Sequence, residues 1–368
     1  MDTKDKNTEF VPPGIMSPDS TMKPPEPELS ELTGGATVIP APGEQIAKEK
    51  KPTTPFQESL KRLRRDKRAM VCLGLIVFYI VIAIIGPPIY QHIGGKYQSA
   101  LNGTIGPDRY HGFSDEEIDR ANELPSGQYW LGTDDLGRDI MARLMQGVLI
   151  SLAVAVLVEV VDIVLGILVG VLAGYYGGWI DQFLARFTDI MFAFPGFLFL
   201  ILISGILGGW ADRTLGKIPI VGPNGNARLL LVMFALALTI WPLMARYVRG
   251  QTLQLKEQQF VEAARTSGTR DTRIILSHIV PKLFSIVVIA ATLDISNTII
   301  TEASISYLGL GVQPPGSSIG LMISGADQYI RTYPWELLLP CIVLVSLVLA
   351  FSFLGDGVRD AFDPRSKD

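Results

Sequence analysis

Residues Ala69–Gly95 read AMVCLGLIVFYIVIAIIGPPIYQHIGG, without a single Asp, Glu, Lys or Arg. Wound as a helix, a run of this length crosses the roughly 30 Å of bilayer hydrocarbon, which takes about 20 apolar residues. One such run would also suit a buried helix of a soluble protein. Three more follow, however: Ile190–Ala211, Leu229–Ala245 and Leu337–Gly355 are equally free of charge. The 368-residue chain is 48% hydrophobic and 18% charged, so its charges are segregated rather than scarce. The pattern predicts an all-α membrane protein with six transmembrane helices, at about 70–90, 148–174, 188–210, 228–247, 283–303 and 335–355.

Charge then sets the sidedness. Phe56–Arg68, FQESLKRLRRDKR, places six Lys or Arg directly before the first span. Basic residues accumulate on the cytoplasmic side, and they also favour contact with anionic membrane lipid. Six spans return the C-terminus to the same side. The segment between spans four and five falls there too, with seven Lys or Arg against three acids from Arg246 to Lys282. Both termini are expected to be cytoplasmic, in the plasma membrane of a prokaryote.

The expected organisation is a disordered cytoplasmic tail over 1–56, which holds ten of the 24 prolines, and a basic juxtamembrane segment at 57–68. A first transmembrane helix at 69–95 and an extracytoplasmic loop at 96–130 come next. A core domain at 131–355 carries five helices and a long internal segment at 258–282. A C-terminal tail at 356–368 ends the chain. The Pro-rich, polar tail cannot bury enough apolar surface to offset its ordering entropy, and no apolar run near Met1 suggests a signal peptide. Ser306–Pro334, rich in Gly and Ser, is expected to form a re-entrant piece.

Several chemistries are excluded. No G-x-x-x-x-G-K-[ST] occurs, so ATP hydrolysis by a P-loop is not expected of this chain. No nucleophile–base set and no HExxH emerge, and no nucleic-acid partner is indicated. Cys72 and Cys341 lie in apolar spans, and His92, His111 and His278 lack metal-ligand spacing; no metal site is read.

The segment Gln258–Lys282, QQFVEAARTSGTRDTRIILSHIVPK, is longer than a tether needs to be. Phe260, Val261 and Ala264, then Ile274, Ile275 and Ile279, suit two short amphipathic helices, with Gly268 permitting a sharp turn between them. Pro281 suits the first turn of the fifth span, where a missing N–H costs little. One face would rest on the bundle. The other, with Glu262, Arg265 and Arg270, would stay free for a partner or lie on headgroups.

Here the sequence resembles a known family. Glu262-Ala263-Ala264, Gly268 and His278-Ile279-Val280-Pro281 keep the spacing of the EAA loop of importer-type ABC transporter permeases, although His278 and Val280 replace the usual Ile and Leu. The H-I-x-P ending resembles the dipeptide/oligopeptide branch. LGTDDLGRDIMARLMQG (Leu131–Gly147), GYYGGWIDQFLARFTDIMFAFP (Gly174–Pro195), YLGLGVQPP (Tyr307–Pro315) and GDGVRDAFDPR (Gly355–Arg365) resemble its C-type permease subunit. The resemblance implies a type I ABC importer permease architecture with cytoplasmic coupling helices. It implies ATPase coupling through Glu262, Ala263, Ala264, Arg265, Gly268 and Pro281. It also implies a second permease in a heterodimer, two cytoplasmic ATPase subunits that use ATP and Mg, and an extracytoplasmic substrate-binding protein. This chain itself would bind no cofactor. Di- or oligopeptides are the expected cargo, with nickel or another small solute as the alternative.

Further expectations come from the residues themselves. Leu136, Ile140 and Leu144 recur every four residues with Asp139 and Arg143 at pairing distance, suggesting an amphipathic helix over 136–144. Pro195 should kink the third span. Ionisable residues inside spans mark pathways or partners. Glu159, Asp162, Asp294 and Glu302 are the candidates, either lining a path or forming buried hydrogen bonds. A proton-coupled carrier would use Glu302 and Asp294 as relays and need no ATPase.

Overall fold

The computed structural model describes residues 55–93, 112–218 and 227–362. The expected disordered tail therefore lies outside the described residues, except for its last two positions. Eleven α-helices follow one another among the described residues: α1 Pro55–Leu63, α2 Lys67–Ile93, α3 Ile140–Tyr176, α4 Gly178–Ala193, α5 Gly196–Thr214, α6 Ala227–Lys256, α7 Gln259–Thr266, α8 Asp271–Ile274, α9 Val280–Tyr307, α10 Ile319–Ala326 and α11 Pro334–Phe362. No strand occurs among those residues beyond an isolated bridge between Thr133 and Asp139.

Six helical stretches are long and apolar enough to span a membrane: Lys67–Tyr90, Ile140–Tyr176, Gly196–Lys217, Ala227–Lys256, Asp271–Tyr307 and Pro334–Phe362. The number agrees with the sequence reading, but several boundaries move. The expected third span is two helices. Pro195 breaks the chain rather than kinking it, because Phe194 takes extended backbone (φ −76°, ψ 129°) ahead of the proline, as residues before proline tend to do. The last helix continues to Phe362, so the C-terminal tail begins later than 356.

The expected helix over 136–144 starts at Ile140 instead. Gly137 sits at φ +72°, incompatible with a regular helix. Asp139 then caps α3, accepting from the N–H groups of Met141 (2.8 Å) and Ala142 (3.2 Å). It also accepts from the Tyr90 hydroxyl at 2.8 Å. With that carboxylate occupied, Arg143 pairs with Asp134 and not with Asp139. Asp134 further accepts from the Arg138 side chain at 2.9 Å. This segment is a packed turn at the head of α3, rather than an exposed amphipathic helix.

The centre of the bundle is the α3–α6 pair. Gly166, Gly170 and Gly174 form a stripe at four-residue spacing along α3. A Cβ at Gly170 would stand 2.6 Å from the carbonyl oxygen of Ala245, and one at Gly174 would stand 2.7 Å from Thr252 Cβ. Lipid supplies no hydrophobic drive between helices, so such small residues gain close van der Waals packing. Within Ser306–Pro334, the stretch expected to be re-entrant, α10 packs back on α9: its Gly320 lies against the Ala303 carbonyl and its Ile319 is fully buried.

Candidate functional site

The segment Gln258–Lys282 forms a helical hairpin. α7 ends on Gly268, which has φ +75°. The Gly268 N–H donates to the Arg265 carbonyl (2.9 Å) and the Thr269 N–H donates to that of Ala264 (3.1 Å). These are the two bonds of a Schellman cap, which needs a left-handed residue. α8 then runs into a π turn at Ile275–Ile279 and on into α9. The fifth span is thus helical from Asp271, well before the expected start near 283, and Pro281 lies inside a continuous helix. Pro281 has no N–H to donate. The π turn immediately before it, closed by the Val280 N–H on the Ile275 carbonyl, is a familiar irregularity of helices near such a defect.

One face of the hairpin is held by the bundle. Val261, Ile274 and Ile279 are fully buried in a cluster with Val171 and Tyr175 of α3, Met244 and Val248 of α6, and Leu283 of α9. Polar contacts reinforce this face. The Tyr175 hydroxyl donates to Asp271 Oδ1 at 2.6 Å, and the Arg265 guanidinium lies 5.2 Å from the Tyr175 ring centroid. Lys282 Nζ lies 3.4 Å from the centroid of Phe260, whose other neighbour is the His278 ring. Cations over aromatic faces gain roughly 0.5–1 kcal/mol when exposed.

The opposite face is open. Glu262, Ala263, Arg265, Gly268, Arg270 and Pro281 are exposed, and Ala264 is half-buried. Leu276 is 68% exposed on the same hairpin. The sequence reading passed over it, although at about 100° per residue it stands roughly 200° around the axis from Ile274 and 100° from Ile275, away from that buried pair.

The intramembrane acids separate into two groups. Glu302 is fully buried, and both its oxygens are taken, by the hydroxyls of Ser151 and Ser306 at 2.8 Å each. Glu159 and Asp162 of α3 are buried as well. None of their four carboxyl oxygens has a hydrogen-bond partner among the described residues. Asp294 of α9 is near enough to act electrostatically on both. The structure therefore brings Glu159, Asp162 and Asp294 together and leaves Glu302 about two turns away along α9.

At the hairpin end of the bundle α4 is clasped to α6. Arg249 donates Nε and Nη2 to the two oxygens of Asp181 (2.5 and 2.8 Å). Arg246 donates to Asp189 at 2.7 Å. The Asp181 carboxyl is held below its ordinary range, chiefly by the hydrogen bond from Arg249. Arg246 lies 57 residues from Asp189 and Arg249 lies 68 residues from Asp181 in sequence, and no local period reveals either pair.

Comparison with known proteins gives this arrangement a context. The family described as "binding-protein-dependent transport system inner membrane component" matches residues 166–368, and "N-terminal TM domain of oligopeptide transport permease C" matches residues 54–100. The glutathione transport system permease protein GsiD of Salmonella typhimurium is 39% identical over 314 residues, 85% of this chain and 92% of the relative. The dipeptide transport system permease protein DppC of Alkalihalophilus pseudofirmus is 32% identical over 360 residues, 98% of this chain and 99% of the relative. Among solved structures, an inward-facing MetNI methionine ABC transporter is 22% identical, with a TM-score of 0.47 over 60% of this chain and 97% of that one. With its six apolar helices and these relatives, the chain belongs to the binding-protein-dependent transport system inner membrane component family, as a multi-pass membrane permease subunit.

Proposed function

We propose that this chain is one permease of an ATP-driven importer for di- or oligopeptides. It would form half of the translocation path beside a second, related permease. Two ATPase subunits would seat against the hairpin at 258–282 on the cytoplasmic side, and a substrate-binding protein would deliver cargo on the other side. ATP and Mg would be used by the ATPase subunits. Both termini would then be cytoplasmic. The relatives named for glutathione and dipeptides favour peptides over nickel as cargo.

The observation that carries the coupling role is the hairpin's two-sided construction. Its apolar face is locked into a cluster shared by α3, α6 and α9, while Glu262, Ala263 and Gly268 are exposed, as is Arg265 beside the Tyr175 ring. A partner that pushes the outer face must move three spans together. Coupling exists only where the two ATPase states differ in their contact free energy with this face. Arg265, Arg270, Glu262 and the exposed Leu276 supply that contact in this reading.

Glu159, Asp162 and Asp294 are assigned to the path. Glu159 and Asp162 are buried carboxylates without donors among the described residues and need a partner from outside the chain, which a peptide's amino terminus would supply. The half-buried Asp294 would add its charge beside them. Glu302, with both oxygens satisfied, is assigned to packing.

The test is gentle purification of the full chain from native membranes, with mass spectrometry of every retained protein and ligand. Two ATPases, a second permease and a binding protein holding a peptide are expected. Recovery of the chain alone, competent for uptake in ATP-free liposomes, would overturn the reading in favour of a secondary carrier.

A further inference from the structure

A second surface stands out at the start of α2. Lys61, Arg62, Arg64, Arg65, Lys67 and Arg68 are all exposed within eight consecutive residues. Asp66 is the one acid among them. Its carboxylate accepts from the Arg68 backbone N–H at 2.9 Å and faces α11, 3.1 Å from where a Cβ on Gly357 would stand.

The display is built into the fold rather than carried on a loose tail. α1 closes with the Arg65 N–H on the Arg62 carbonyl (2.9 Å) and the Asp66 N–H on those of Arg62 (3.2 Å) and Leu63 (3.1 Å). Ala69 is fully buried. A Cβ at Gly357 of α11 would come within 2.5 Å of the Ala69 side chain, so this elbow sits directly on α11.

Helix electrostatics does not account for these charges. Lys67 and Arg68 open α2, whose first turn holds no acid, and cations at a helix N-terminus oppose its dipole. The position along the membrane normal does account for them. The span begins at Lys67, and Val71 is already 71% exposed as a lipid-facing residue should be. Lys and Arg at such a depth lay their stems along apolar surface and place their charges among headgroups. Leu60, exposed on α1, suits a helix lying in that interface.

We propose that the α1–α2 elbow is a binding surface for the phosphodiester headgroups of anionic phospholipids, which stabilise the protein when they occupy it. Charge complementarity and the rigid placement at the membrane boundary select this occupant. The surface works whichever side it faces, because vesicles with anionic lipid in both leaflets offer it either way.

The experiment uses the full chain in its native assembly, reconstituted in phosphatidylcholine vesicles with or without about 25% phosphatidylglycerol. The thermal unfolding midpoint is expected to rise by several degrees with the anionic lipid. In the variant K61Q/R64Q/R65Q/R68Q at least half of that rise is expected to disappear, whereas R64K/R65K/R68K should keep it. An equal rise in the neutralised variant, or no rise in the native protein, would overturn the proposal. Should the neutralised variant fail to fold, the native protein still decides. About 0.5 M NaCl should remove most of the rise by screening, and a rise insensitive to salt would overturn the proposal too.

Discussion

The Tyr175 hydroxyl reaches Asp271 Oδ1 at 2.6 Å, joining the last turn of α3 to the first residue of α8 across 96 residues of sequence. The covalent chain ties the hairpin only to α6 and α9. Tyr175 adds α3, and its ring also carries the Arg265 guanidinium. A hydrogen bond of this kind contributes about 1 kcal/mol net, so Tyr175→Phe should reduce peptide imported per ATP hydrolysed by roughly fivefold. Tyr175→Ala, which also removes the ring, should reduce it further. Measurement of both rates in one reconstituted preparation checks this. An unchanged ratio in a well-assembled Y175F protein would mean that α3 is not driven through this contact.

Gly268 tests the hairpin from its turn. Nothing lies within 4 Å of a Cβ added there, so any effect of substitution comes from the backbone at φ +75° and not from crowding. Left-handed backbone costs ordinary L residues roughly 1–2 kcal/mol, and Asn less. Gly268→Asn should therefore retain most uptake, Gly268→Val should lose more, and Gly268→Pro should uncouple ATP hydrolysis from uptake while the chain still inserts. Expression-normalised uptake beside ATPase rates ranks the series. Normal uptake with Pro at 268 would sink the coupling role of the turn.

The spans were legible because charge exclusion over some 20 residues is a one-dimensional signal, as at Leu229–Ala245 and Leu337–Gly355. Gly268 was legible for a similar reason, since a glycine between two apolar-periodic pieces has few other uses. What local pattern could not supply was tertiary choice. Asp139 and Arg143 stand at helical pairing distance, yet Asp139 caps α3 and Arg143 turns back to Asp134. Glu302 and Asp162 look alike in sequence as acids within apolar runs. The placement of Ser151 opposite Glu302, together with Ser306 one turn along α9, separates a satisfied carboxyl from one without a partner among the described residues.

The glycine stripe of α3 makes a prediction about assembly. A Cβ at Gly170 would press on the Ala245 carbonyl at 2.6 Å and on Val248 Cβ at 2.7 Å. Backbone cannot yield as a flexible side chain can, and overpacking costs about 1–3 kcal/mol. Gly170→Val should lower the thermal midpoint clearly and reduce the yield of assembled protein. Gly250, on α6 with nothing within 4 Å, is the control: Gly250→Ala should be neutral, or stabilising by up to about 1 kcal/mol from helix propensity. Thermal unfolding of both variants in one lipid checks the contrast. Equal losses at the two positions would mean that α3 and α6 are not packed this closely.

The Asp181–Arg249 clasp predicts a pH dependence with a definite sign. Arg249 holds the Asp181 carboxyl below its ordinary range, so the folded protein binds this proton less readily than the unfolded chain does. The stabilisation is then fully present above the unfolded value of about 4 and is lost as pH falls through the lower folded value. At neutral pH Asp181→Asn should cost about 1 kcal/mol, the upper end for a partly exposed pair. The difference in thermal midpoint between native and D181N should stay constant from about pH 5 to 8 and shrink toward zero in the acid range. The expected readout is convergence of the two unfolding curves on acidification. A gap that persists below the folded value would assign the loss in D181N to packing of α4 and not to the ion pair.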